Sequence, residues 1–173
     1  MAIEVLHDDI TRVRVDAIVN AANARMLGGG GVDGAIHRAA GPALLQECLK
    51  VKEVSPGVRC PTGEARITPA SGSIQARFII HTVGPIWEGG DANEDELLAR
   101  CYHNSLKLAA ENDAASIAFP AISTGVYRFP AERAVGIAVR EVKTFLQSFN
   151  RPEKVVFVCF SPDIMAMYQR ELK

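Results

Sequence analysis

No charge of either sign predominates in this chain. Nineteen Lys and Arg stand against 20 Asp and Glu, leaving a formal net charge of −1 with His neutral. Such a balance creates no field that would draw the protein to nucleic acid or to an anionic membrane surface. Any anion it binds must be gripped by local geometry. Cysteine is sparse as well: Cys48, Cys60, Cys101 and Cys159 lie far apart, and no C-x-x-C pair occurs. That spacing supports no zinc site, and a chain of this length needs no disulfide framework, so all four are expected as small buried thiols in a reducing compartment. No apolar run reaches the length of a membrane span. Met1-Ala2-Ile3-Glu4-Val5 lacks the basic and apolar regions of an export signal. A cytoplasmic protein without a membrane partner is expected. The chain also lacks a repeat, a Ser-His-Asp order and a metal-ligand cluster, so hydrolysis here would rest on positioned water, with no metal or cofactor.

What is present suits one domain over residues 1–173, long enough to fold around its own core. Apolar runs bounded by turn formers predict strands at 3–6, 17–19, 65–68, 78–83, 116–119 and 155–160. Helices are expected over 34–40, starting near Asp33, over 42–50 with Pro42 in the first turn, over 94–111, within 130–149, and over 162–172. Segments 55–63 and 87–93, rich in turn formers, read as surface loops. Strands and helices in alternation, with several strands apolar throughout, predict an α/β sheet covered by helices on both faces.

The most informative segment is Val19-Asn20-Ala21-Ala22-Asn23, followed by Gly28-Gly29-Gly30-Gly31-Val32-Asp33-Gly34. Four consecutive glycines leave backbone N–H groups uncovered and permit φ values that other residues avoid. A helix start behind them adds a favourable dipole for an anion. Gly29-x-Gly31-x-x-Gly34 has the spacing of a dinucleotide fingerprint, but the strand ends near Asn20, too far upstream; no Lys-Ser or Lys-Thr follows, which excludes a Walker A loop. A second loop, Pro120 to Tyr127, follows another buried strand. In a doubly wound sheet both loops would lie at strand carboxyl ends and clasp one diphosphate, with Ser123 and Thr124 adding hydroxyl donors.

The neighbouring side chains have two readings each. Asn20 is expected to brace the backbone, and Asn23 to address ribose hydroxyls. Asp33 either caps the helix behind it or serves in catalysis by positioning water. Asp9 is a turn or cap residue, or an acceptor for an exocyclic amine. Phe160 is a core residue or a stacking partner for the same base. His37 and His81 are read as satisfied core histidines.

Five stretches together resemble the macrodomain family, in its MacroD-type bacterial branch: Asp9-Ile10-Thr11, Val19 to Asn23, Gly28 to His37, His81-Thr82-Val83-Gly84-Pro85, and Ala118 to Tyr127. The resemblance spans nearly the whole chain. It implies a three-layer α/β/α fold with a mixed, mostly parallel sheet and a cleft for ADP-ribose. It further implies that Asp9 and the backbone of Ile10 meet the adenine, beside Phe160. The loop Gly28, Gly29, Gly30, Gly31 and Val32, with Ser123, Thr124, Gly125 and Val126, would hold the diphosphate through backbone amides. Asn23, Asp33 and Tyr127 would surround the distal ribose, with Asp33 and Asn23 catalytic. The implied activities are deacetylation of O-acetyl-ADP-ribose and removal of mono-ADP-ribose from acidic protein side chains, by a protein expected to be a monomer. A non-catalytic ADP-ribose reader and a regulator of a ribonuclease are the alternatives. The family often carries an acidic residue after the terminal aromatic, where this chain has Ser161.

Overall fold

The computed structural model describes residues 2–173. Strands β1 (Ala2–His7), β2 (Ala17–Ala21), β3 (Ala65–Pro69), β4 (Phe78–Thr82), β5 (Ser116–Phe119) and β6 (Lys154–Cys159) form one sheet in the order β1-β6-β5-β2-β4-β3. Every neighbouring pair is parallel except β3 with β4, so the sheet is mixed and mostly parallel. Among the described residues five helices cover it: α1 (Gly31–Ala40), α2 (Pro42–Leu49), α3 (Glu94–Glu111), α4 (Ala131–Ser148) and α5 (Pro162–Leu172). The three-layer α/β/α architecture is thus the one expected. Helix α1 begins at Gly31, earlier than its apolar pattern signals, and a short 3-10 turn at Ile10–Arg12 has no periodic signature in so few residues.

The strands read as continuous apolar runs because both faces are buried. Side chains alternate between faces. Val19, Ile80, Ile117, Phe119, Val155 and Phe157 pack on one side, against α3, α4 and α5. Ile18, Ile79, Ala118, Val156 and Val158 pack on the other, with Ile36 of α1 and Leu44 of α2. All four cysteines are buried free thiols, and burial pushes them up to about 11 or 12. They are inert ballast in the core.

Neither expected surface loop is a passive connection. Within 55–63, Cys60 is fully buried, and the N–H groups of Arg59 and Cys60 donate to the Ala24 carbonyl at 2.8 and 3.1 Å. This loop therefore buttresses the turn that follows β2. The 87–93 loop closes around Glu94, whose buried carboxylate accepts from the N–H groups of Glu88, Gly90 and Ala92 at 2.8, 2.9 and 2.6 Å. Burial alone would raise the Glu94 pKa; those backbone donors outweigh it and hold it down to about 2. Because the folded value is depressed from 4.5, Glu94 contributes stability that is complete above the ordinary value and is lost as pH falls toward 2. Glu94→Gln is expected to lower Tm at pH 7, with the deficit shrinking through that acid window. Thermal melts across the range check this; equal Tm at pH 7 would refute it.

Sheet order decides where a ligand can settle. Strand β5 lies between β6 and β2, so the segments leaving the carboxyl ends of all three emerge side by side on one rim. Ligands of open α/β sheets collect on that rim.

Candidate active site

The turn leaving β2 is built by Asn23. Its Oδ1 accepts from the N–H groups of Arg25 and Met26, both at 3.2 Å, and its Nδ2 donates to the Gly28 carbonyl at 3.0 Å. Thus Asn23 staples the start of the glycine run while lining the cleft, and one amide hydrogen is left for a ligand. Gly28 and Gly31 adopt φ of +99° and +56°, the left-handed region in which glycine alone is unstrained. Gly29 is squeezed between catalytic candidates: a Cβ there would stand 3.0 Å from Asp33 Oδ2 and 3.3 Å from Asn23 Nδ2. Helix α1 has Gly30 as its N-cap and therefore no capping side chain. Its first N–H groups stay open toward the cleft, where they and the helix dipole favour an anion.

Asp33 does not cap α1. It is the third helical residue, 4% exposed, and its Oδ1 accepts from Asn20 Nδ2 at 2.8 Å. His37, one helical turn on, brings Nε2 to 3.4 Å from the same oxygen. Burial raises the Asp33 pKa above the ordinary carboxylate value, while the Asn20 bond and His37 pull the other way. The expectation that Asn20 braces the backbone is corrected: Asn20 is completely buried beneath Asp33, and its amide serves side chains. His81 is the satisfied core histidine expected, with Nε2 2.9 Å from Thr68 Oγ1 and burial pushing it down to about 3.

The second loop also departs from expectation in one respect. Ser123 Oγ donates to the Pro85 carbonyl at 2.8 Å, and Thr124 Oγ1 donates to the Ala121 carbonyl at 2.7 Å. Neither hydroxyl hydrogen is free for an anion. These bonds instead shape the loop, in which Ser123 takes φ of +68°. Among the described residues, the N–H groups of Gly125 and Val126 have no backbone acceptor. Gly84, from the turn after β4, allows this loop to approach, since a Cβ there would come within 2.7 Å of Ile122 Cγ2.

These pieces enclose a cleft of about 690 Å³. Of the expected residues, Asn23, Gly29, Gly30, Gly31, Val32, Asp33, Ser123, Thr124, Gly125, Val126, Tyr127 and Phe160 line it. Phe160 is 61% exposed, not part of the core, and its carbonyl oxygen is 3.0 Å from His7 Nε2. Val158 and Ile164 join it in an apolar end that sequence reasoning missed. Alternation along the expected strand 155–160 puts residue 158 on the side of residue 160, a signal readable in the sequence. Ser161 caps α5, its Oγ accepting from Ile164 N–H at 3.2 Å.

Gly28, Asp9 and Ile10, all expected contacts, stand back from the wall, and so does Asn20. Asn20 lies beneath Asp33, and Gly28 faces His37. Asp9 caps the 3-10 turn, its Oδ1 accepting from the Thr11 N–H and hydroxyl at 2.9 and 2.8 Å, and the Ile10 side chain is buried in the core. The lining combines a carboxylate and an amide, Asp33 and Asn23, with the backbone of two loops and an apolar group of Phe160, Val158 and Ile164. Among the described residues no group of three or more His, Cys, Asp or Glu is placed to hold a metal ion, and no helix is long and apolar enough to cross a membrane.

Residues 19–138 match the family model described as Macro domain. A Methanosarcina mazei protein named Macro domain-containing protein is 59% identical over 161 residues, 93% of this chain and 82% of its own length. A Klebsiella pneumoniae protein named O-acetyl-ADP-ribose deacetylase is 57% identical over 169 residues, 98% of this chain and 95% of its own length. Among solved structures, a mutant of the Oceanobacillus iheyensis macrodomain with ADPR superposes with a TM-score of 0.91 at 46% identity, covering 98% of this chain and 91% of that one.

Proposed function

This chain belongs to the Macro domain family, and from that footing we propose that it is a hydrolase that binds ADP-ribose and cleaves esters on its distal ribose. O-acetyl-ADP-ribose is the first substrate. Mono-ADP-ribose attached to acidic protein side chains is the second, because it too is an ester of that sugar. The observation that carries the reading is Asp33: a buried carboxylate of raised pKa at one end of the cleft, separated from the Asn23 amide only by Gly29.

In this reading the diphosphate lies across the open start of α1 and the N–H groups of Gly125 and Val126. The adenine rests on Phe160, Val158 and Ile164, with Asp9 nearby at the end of β1. The distal ribose then sits between Asn23, Asp33 and Tyr127. Asp33 accepts a proton from water, and the water oxygen attacks the ester carbonyl carbon. The bond from that carbon to the ribose oxygen breaks, the ribose oxygen takes up a proton, and acetate leaves. A carboxylate whose pKa is raised is a stronger base for that first step. Alignment by the remote nucleotide supplies much of the rate gain, a term worth about 7–11 kcal/mol in favourable cases.

A module that only reads ADP-ribose has no need of a carboxylate at the sugar end. Two measurements on the purified protein separate the readings. Calorimetry with ADP-ribose is expected to show association, and incubation with O-acetyl-ADP-ribose is expected to release acetate. Binding without acetate release would leave a reader; no binding would sink both.

A further inference from the structure

Asp33 is held from below by a chain of buried groups that never reaches the cleft. Asn20 and His81 are register partners on β2 and β4. Asn20 Nδ2 lies 2.8 Å from Asp33 Oδ1 and 3.2 Å from His81 Nδ1. His81 Nε2 in turn lies 2.9 Å from Thr68 Oγ1 on β3, diagonally across the antiparallel pair. Asn20 and His81 are 0% exposed and Thr68 is 3% exposed. Asn20 Oδ1 has no partner at all among the described residues.

That orphaned oxygen is informative, since a buried acceptor without a donor is costly and calls for a reason. An ionised Asp33 offers only lone pairs, so it requires the amide nitrogen of Asn20. His81 Nδ1 must then accept from the same nitrogen, which puts the ring hydrogen on Nε2, where the Thr68 hydroxyl oxygen receives it. Turning the amide over would set Asn20 Oδ1 against both the carboxylate and the imidazole lone pair. We propose that Asn20 is a positioning residue for Asp33, and that Thr68 acts through the His81 tautomer to keep the Asn20 amide in the one orientation that holds the carboxylate ionised and aimed into the cleft.

This proposal rests on the hydrolase reading for its kinetic arm only. The titratable groups around Asp33 are His37 from α1, His81 from β4 and Cys48 from α2, whose Sγ is 4.0 Å from His81 Nε2. Asn20→Ala is expected to lower kcat on O-acetyl-ADP-ribose by about 10–100-fold, as small misplacements of a reacting group do. ADP-ribose affinity should stay at the parent value, since neither Asn20, His81 nor Thr68 lines the cleft. The acid limb of the kcat profile should move to higher pH, because the bond favouring the charged form is gone. Thr68→Val, which keeps shape and removes the acceptor for His81 Nε2, should move the limb the same way by less.

Carboxyl carbon NMR of Asp33 in the parent and both variants reads the same shift without any turnover. An unshifted Asp33 titration in Thr68→Val and in folded Asn20→Ala would overturn the proposal. So would kcat and affinity falling together, the mark of a merely structural role. Where Asn20→Ala does not fold, Thr68→Val decides alone. A parent that releases no acetate would sink the hydrolase reading, and the NMR titration would still decide this one.

Discussion

Replacing Asp33 by Ala is expected to lower kcat on O-acetyl-ADP-ribose by about 10²–10⁴-fold, the range typical of a lost general base. ADP-ribose affinity should be unchanged or tighter, because the substitution removes a negative group near the helix start proposed to hold the diphosphate. That split is diagnostic: an interaction made only with the reacting atoms affects kcat and leaves binding intact. In the parent, activity should fall on the acid side around a pKa above the ordinary carboxylate value, as burial of Asp33 dictates. Acetate release measured against pH, beside calorimetry with ADP-ribose, checks both. Turnover at the parent rate in Asp33→Ala would remove Asp33 from the mechanism.

Gly34→Ala is expected to weaken ADP-ribose binding by at least about tenfold, or roughly 1.4 kcal/mol. A Cβ at Gly34 would stand 2.6 Å from the Gly29 carbonyl oxygen and 3.1 Å from Arg38 Nη1. The arginine can swing away, but the Gly29 peptide cannot without shifting the turn proposed to hold the diphosphate. Intrinsic helix propensity alone would favour Ala by about 1 kcal/mol, so loss of binding would report the steric wedge, not a weaker helix. Gly30→Ala is the control. Its Cβ meets nothing within 4 Å, and φ there is an ordinary −96°. Affinity should survive that change far better, and equal affinities in the two variants would refute the steric explanation.

The glycine run was legible because its chemistry is local. Positive φ at Gly28 and Gly31 favours glycine on local grounds, and Asp33 a few residues on is close by covalent necessity. Other residues were misjudged for want of their partners. Asn20 looks like a backbone brace because Asn near a strand end usually is one; its real partners, Asp33 and His81, lie 13 and 61 residues away. The Ser123 hydroxyl looks free until the Pro85 carbonyl, 38 residues back, is brought against it. Phe160 looks like core because apolar strands usually end in core, yet β6 ends at the rim and leaves the ring in the cleft.

Local sequence dictates the alternation of strands and helices, the two-sided burial of the strands, and the place where bare backbone amides gather. These features come from side-chain period, turn chemistry and the missing Cβ of glycine, each readable within a few residues. Long-range packing alone places β5 between β6 and β2, brings three loops to one rim, and stands Asp33 on a buried Asn–His–Thr chain. Strand order depends on contacts summed over both faces of the sheet, and no short window of sequence contains that sum.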